Sequence, residues 1–180
     1  ELASGDLDVS IGYLDHLPSS IYRRKLFETR IVSVASGAHP RIQGRLGLEQ
    51  YLREGHVGIG NSGPIGLLAS PDGLLKREGL KRRVVSEVRN PEVALLVVAQ
   101  SDLLCSATEL MATGLAHLAD FQVLDHPLKM PRLSVSAAWH ARTHAQRMHQ
   151  WFRDVLFRIA ARWATTRRRQ RSGLHRVGPH

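Results

Sequence analysis

The chain has 180 residues, 43% hydrophobic and 23% charged, a length and balance that suit one or two small soluble domains with a buried core. No apolar run reaches the length of a membrane span, and the longest, 93–99, suits a single strand or short helix. A single cysteine, Cys105, excludes an internal disulfide framework, fits a reducing compartment, and in its apolar run reads as an inert buried thiol. The net charge of +9 is concentrated at one end. Residues 158–180 hold seven arginines and no acid, and removing those seven charges from +9 leaves +2. The body is close to balance, and 158–180 reads as a basic tail without regular structure.

In chain order, Gly5-Asp6-Leu7-Asp8 leads into an alternating strand over 9–13. A loop around Pro18 follows, then strands over 22–28 and 30–35. From about 46 to 118 helices and strands alternate. A helix over 46–54 ends at Gly55, and a strand covers 56–60. A second helix starts at Ser70-Pro71, serine as cap and proline in the first turn, and Gly79 stops it. A strand of β-branched residues covers 82–88. Asn90-Pro91-Glu92 opens an apolar helix over 93–100, 103–107 is a buried strand, and Thr108-Glu109 starts a helix to about 118. Such alternation predicts a mostly parallel sheet. A strand at 121–124 returns the chain, and Leu133, Val135 and Ala137 alternate with Ser134 and Ser136 up to Trp139-His140. Helical spacing then places Met148, Trp151, Phe152, Val155 and Ile159 on one flank, expected to be buried. Arg147, Gln150, Arg153 and Asp154 fall on the other.

Three constellations suggest chemistry and none is complete. Gly58-Ile59-Gly60-Asn61-Ser62-Gly63 has dinucleotide-loop spacing after a strand, but Pro64-Ile65-Gly66 stands where the phosphate-binding helix should open. His140, His144 and His149 lack a cysteine or carboxylate neighbour to complete a metal set. Ser62 has no nucleophile-elbow pattern around it. Neither a cofactor, a metal nor catalysis is expected.

The stretch Trp139-His140-x-Arg142, followed by Ala145, His149, Trp151 and Arg153, resembles the C-terminal signature of the LysR-type transcriptional regulators, and within them the nodulation and aromatic-degradation group. The group usually has Asp-Pro where Gln146-Arg147 stand here, so the helix is expected to be capped from Thr143. Gly5, Leu7 and Asp8, then Leu26-Phe27-Glu28 before His39-Pro40, and Ser101-Asp102-Leu103-Leu104 extend the resemblance in the correct order over residues 1–157. It implies an α/β fold of two Rossmann-like lobes joined by two crossover strands, the type-2 periplasmic-binding-protein fold, with the first lobe incomplete at its N-terminus. Lobe I would comprise 1–33 and 122–157, and lobe II 34–121. The resemblance further implies a cytoplasmic effector-binding domain, homodimeric or homotetrameric, with DNA bound by a winged helix-turn-helix absent from this chain. The alternative is a secreted solute-binding protein of the same fold serving a transporter.

Ligands of open α/β sheets sit beyond the carboxyl ends of the strands. That rule and the resemblance select Tyr13, Asn61, Ser62, Asn90, Pro91, His126, Trp139 and His140 as ligand-binding candidates in a cleft between the lobes. The expected ligand is a small aromatic anion. Helix amides after Asn90-Pro91 would face its carboxylate, Tyr13 and Trp139 would wall it, and His126 or His140 would donate a hydrogen bond.

Overall fold

The structure is a computed structural model that describes residues 1–14, 16–60 and 70–174, with side chains described as far as 162. Among the described residues the elements run β1 (Ser10–Gly12), β2 (Ile21–Thr29), β3 (Ile31–Ser36), α1 (Leu48–Arg53), β4 (Gly55–Ile59), α2 (Asp72–Arg77), β5 (Arg83–Val88), α3 (Pro91–Ala99), β6 (Leu103–Thr108), α4 (Glu109–Leu115), β7 (Phe121–Asp125), β8 (Leu133–His140), α5 (Ala141–His144) and α6 (Arg147–Leu174). They fall into two compact units. Unit 1 is Glu1–Glu28 with Ser134–His180, and unit 2 is Thr29–Leu133.

Unit 2 is a five-stranded sheet in the order β5-β4-β6-β3-β7. Every residue of β3 is buried, because both faces of the sheet are covered. Strand alternation sorts its side chains onto two cores. Val32 and Val34 join Cys105 and Ala107 of β6 and Val57 of β4 beneath Ala94, Leu95 and Val98 of α3 and Ala112 of α4. Ala35 joins Leu104 and Leu124 on the opposite face, beneath Tyr51 of α1 and Leu75 of α2, with Ile42 and Leu128. Cys105, in the first of these cores, is buried and its thiol is pushed up to about 12, so it is inert as expected. The caps follow the sequence closely. Asn90 caps α3, Thr108 caps α4 through Met111 N–H, and Gly79, at φ +68, follows α2. Ser70 Oγ accepts Asp72 N–H at 3.3 Å, one residue before the position from which the helix springs.

One expectation is corrected here. The sheet is mixed. β4 runs parallel to β5 and β6, whereas β3 is antiparallel to both β6 and β7. The compact units divide at 28/29 and 133/134. β3 and β7 hydrogen-bond over their length within the unit 2 sheet, with Val32 opposite both Ala107 and Asp125.

Unit 1 has three strands in the order β1-β8-β2, with α5 and α6 following β8. Here the expected orientation of the closing helix is overturned. Met148, Trp151, Phe152 and Ile159 are 75%, 62%, 46% and 60% exposed, while Arg153 and Ala160 are buried and Leu156 and Phe157 half-buried. The set 153, 156, 157 and 160 has the i, i+3, i+4, i+7 spacing of a helix face as surely as the outer set does. Arg153 occupies the inner face by using its charge. Its Nη1 and Nη2 donate to the carbonyls of Thr143 and His144 at 3.2 and 2.7 Å, and its guanidinium stacks 4.7 Å from the Trp139 ring centroid. Both carbonyls lie at the end of α5 and have a second donor, Gln146 N–H at 3.3 Å for Thr143 O and Gln150 Nε2 at 3.4 Å for His144 O, so Arg153 adds charge-assisted bonds to an already paired turn.

A short helix not expected from the sequence, α5, precedes α6, and the side chain expected to cap α6 from Thr143 bonds back into α5 instead. His140 Nδ1 accepts Arg142 N–H at 3.2 Å, and Thr143 lies inside the turn with its hydroxyl donating to His140 O at 3.0 Å. Finally, α6 continues to Leu174, through most of the segment expected to lack regular structure from 158. No glycine or proline interrupts 147–172, and arginine is a good helix former, so nothing local stops the helix.

Candidate effector-binding residues

The carboxyl ends of β4, β5 and β6 lie along one edge of the unit 2 sheet, since these strands are parallel. β7 is antiparallel to β3, which is antiparallel to β6, so its carboxyl end lies on the same edge. Asn90 and Pro91 follow β5 and His126 follows β7, which places both on that edge. They are four strands apart, roughly 19 Å at about 4.8 Å per strand. Asn61 and Ser62 follow Gly60, whose N–H donates to Val88 O at 2.8 Å, but they and the rest of the glycine-rich segment lie outside the described residues.

Asn90 is already employed. Its Oδ1 accepts Glu92 N–H at 2.8 Å and Val93 N–H at 3.3 Å, and its carbonyl accepts Ala94 N–H at 3.2 Å. Pro91 has no N–H. The first turn of α3 therefore has no donor left for a carboxylate, and Glu92 already places a negative charge at the helix start. This removes the anion anchor expected there.

His126 is likewise committed. Its Nδ1 accepts Leu128 N–H at 3.1 Å, so the neutral ring carries its proton on Nε2, which donates to Ser106 Oγ at 3.1 Å. Burial, with a smaller contribution from Arg82, brings its pKa down to about 4, so it is neutral at neutral pH. Ser106 and His126 have the spacing of a nucleophile and its base, but the shared proton sits on the histidine. In this state the imidazole cannot accept the serine proton.

The same sheet face carries polar groups that sequence reasoning missed. The Tyr51 hydroxyl lies 3.4 Å from Ser106 Oγ, and His56 Nε2 lies 2.7 Å from Tyr51 O, which as an acceptor fixes the His56 proton on Nε2. His56 Nδ1 and Ser33 Oγ are buried without partners. Arg82, nearly buried, makes a two-pronged pair with Asp72 at 2.7 and 2.8 Å. Polar letters in otherwise apolar strands, Ser33, His56 and Ser106, were the available signal, but one sequence could not place them on one face.

In unit 1 the antiparallel register decides which candidates meet. Ser10 lies opposite Ala138 and Gly12 opposite Ser136, so Tyr13 is level with Val135, four residues from Trp139. At about 3.4 Å per residue that is roughly 14 Å. The carboxyl ends of β1 and β8 point opposite ways, and Tyr13, half-buried just past β1, does not converge with Trp139-His140. Trp139 is a core residue. Its Nε1 donates to His144 Nδ1 at 3.2 Å, its ring stacks with Tyr22 and His144 at 6.2 Å each, and Arg153 sits on its face. The capping bond of His140 uses Nδ1 and leaves Nε2 as the nitrogen a ligand could reach. The three histidines once considered together diverge: His140 caps α5, His144 serves Trp139, and His149 lies 3.5 Å from Asp8. Among the described residues no cluster of three metal-ligating side chains forms.

Residues 1–160 match the family model described as LysR substrate binding domain. The chain is 26% identical over 161 residues to the HTH-type transcriptional activator NagR of Ralstonia sp, covering 88% of this chain and 52% of that protein. It is 27% identical over 165 residues to Nodulation protein D 1 of Rhizobium tropici, covering 91% and 53%. The chain thus spans about half the length of the curated relatives it matches. Among solved structures it superposes on the probable transcriptional regulator PA0477 of Pseudomonas aeruginosa with TM-score 0.68 and 32% identity, covering 84% of this chain and 49% of that one. It superposes on the regulatory domain of MexT, a transcriptional activator of the same organism, with TM-score 0.73 and 22% identity, covering 87% and 76%. These neighbours share the type-2 periplasmic-binding-protein fold, and the comparisons lend no support to a secreted solute-binding protein. The chain belongs to the LysR substrate-binding-domain family.

Proposed function

We propose that this chain is the sensing part of a longer LysR-type regulator, binding a small effector at the carboxyl edge of the unit 2 sheet. The shared edge of β4, β5, β6 and β7, from which Asn90 and His126 project and the segment containing Asn61 and Ser62 departs, carries the reading. DNA binding is assigned to a part of the protein outside these residues, as the names of the HTH-type relatives suggest, with a cytoplasmic homodimer or homotetramer as the working form. No helix among the described residues is long and apolar enough to cross a membrane.

An aromatic effector rests on the resemblance to regulators of aromatic degradation. A carboxylate on it has lost the support expected from α3, so its charge becomes the variable to test. Titration calorimetry of the chain with benzoate, benzamide and hexanoate separates the ideas. Both aromatic ligands should bind, with the acid and amide of similar affinity and hexanoate silent. Asn90→Asp retains a good helix cap while adding a negative charge at the edge. It should weaken benzoate roughly tenfold and leave benzamide within about twofold, the melting curve unchanged. Hexanoate binding without either aromatic ligand would remove the aromatic reading. Benzoate affinity indifferent to Asn90→Asp would move the site away from this edge.

A further inference from the structure

The strongest concentration of charge in the chain has no part in binding a small effector. α6 runs Arg147–Leu174, and from 158 onward it carries Arg158, Arg162, Arg167, Arg168, Arg169 and Arg171 with no acidic residue. At about 1.5 Å per residue this stretch is roughly 24 Å of helix. Ala160 is the last buried residue among those whose side chains are described. Two ordinary roles for the arginines fall short. Cations complement the helix dipole only in the last turn, and of the six only Arg171 lies there. Pairing along the helix needs an acid three or four residues away, and Asp154 is the last acid of the chain, so 167, 168, 169 and 171 have none at that spacing. Like charges this close repel one another, and a polyanion relieves them.

Spacing selects the kind of polyanion. At 3.6 residues per turn, positions 167, 168, 169 and 171 spread over about 200° of the helix circumference. A flat anionic membrane meets one face of a helix and takes up apolar residues beside the cations. No large hydrophobic residue stands between 164 and 173 to serve there. A nucleic-acid groove differs, since it has phosphates on both walls. The major groove of duplex DNA, about 12 Å wide, admits one α-helix.

We infer that the arginine-rich end of α6 is a DNA contact within this chain, sequence-independent, seated in a groove of the duplex and neutralising phosphates on both walls. Base reading stays with the part of the regulator outside these residues, so α6 adds affinity and not specificity. The inference rests on the regulator reading and not on the effector reading. The binding test below needs no effector, and its failure leaves both base reading elsewhere and the ligand titrations untouched.

The test is fluorescence anisotropy of a labelled duplex of about 20 base pairs and arbitrary sequence, titrated with the 180-residue chain at salt from about 25 to about 150 mM. Each phosphate neutralised contributes about −0.9 to the slope of log K against log salt, so four to six contacts predict a slope between about −3.6 and −5.4. Arg167→Gln, Arg168→Gln, Arg169→Gln and Arg171→Gln combined keep a good helix former at each position. Together they should weaken binding at least about tenfold and bring the slope to about −2. Thr165→Pro keeps every charge but interrupts α6 ahead of the four arginines, and should weaken binding several-fold. Circular dichroism checks the fold of each variant. No binding at the lowest salt, or binding that ignores the four glutamines, overturns the proposal. Affinity indifferent to Thr165→Pro, or equal for a single strand of the same length, removes the helix in a groove. Tighter binding to phosphatidylserine–phosphatidylcholine vesicles than to the duplex assigns the arginines to a membrane surface and also overturns it.

Discussion

Unit 2 and unit 1 use the same kinds of residue to opposite effect. In unit 2 the interior strand β3 is buried throughout, since helices cover both faces of its sheet and two separate apolar clusters form. In unit 1 the longest helix turns its largest apolar residues outward and buries an arginine. Apolar content does not explain the difference. A side chain is buried when a partner surface exists for its face, and unit 2 supplies partners on both sides while unit 1 supplies them for one face of α6. The polar residues follow the same rule. Buried Arg153 is tolerated because it has two carbonyls and a ring to meet, whereas His56 Nδ1 and Ser33 Oγ are buried in unit 2 with nothing to meet.

Acid is the strongest lever on this contrast. Burial brings His56 and His126, both of unit 2, down to about 4, below the free-histidine value near 6.5. With the folded pKa depressed, the unfolded state binds protons first. The stability of unit 2 is complete above about pH 6.5 and is lost progressively as pH falls toward 4. At about 1.4 kcal/mol per unit, each imidazole removes up to about 3 kcal/mol. The carboxylates of Glu54 and Asp72, held below their ordinary range by Arg41 and Arg82, give up their contribution only at lower pH still. Urea midpoints measured between pH 7 and 4 should fall steeply, and His126→Gln should flatten part of that slope. A midpoint constant over this range would mean that both rings are solvated.

Core truncation comes next. Leu104 is fully buried in β6, and Leu104→Ala should cost about 3 kcal/mol, within the 2–5 kcal/mol typical of such cavities, read as a lower urea midpoint at unchanged slope. The smallest effect belongs to unit 1. Trp151→Ala, in a side chain 62% exposed, should cost about 1 kcal/mol or less in the 180-residue chain. A loss of 3 kcal/mol or more would restore the inward orientation of the stripe that its periodicity alone suggested.

Much was legible in the sequence. Asn90-Pro91, Thr108-Glu109 and Gly79 marked helix ends because capping and positive φ are properties of a residue and its immediate neighbours. Alternation in 133–140 and the apolar run at 103–107 marked strands for the same reason, and the ordered motifs ending in Trp139-His140-x-Arg142 pointed to the family that the comparisons show. The site was less legible. The candidates were drawn from strand ends as though every strand ran the same way, and the antiparallel pairing of β1 with β8 carries Tyr13 away from Trp139.

What local chemistry determined, then, is where most elements of unit 2 begin and end and which of their faces are apolar. Tertiary structure alone decided which of the two apolar stripes of α6 turns inward, which strands run antiparallel, and that the first amides of α3 and both nitrogens of His126 are already taken. Periodicity fixes a face relative to its own helix or strand. Orientation, register and hydrogen-bond partners depend on residues far away in the chain, as Leu128 and Ser106 do for His126, and a one-dimensional pattern carries no record of them.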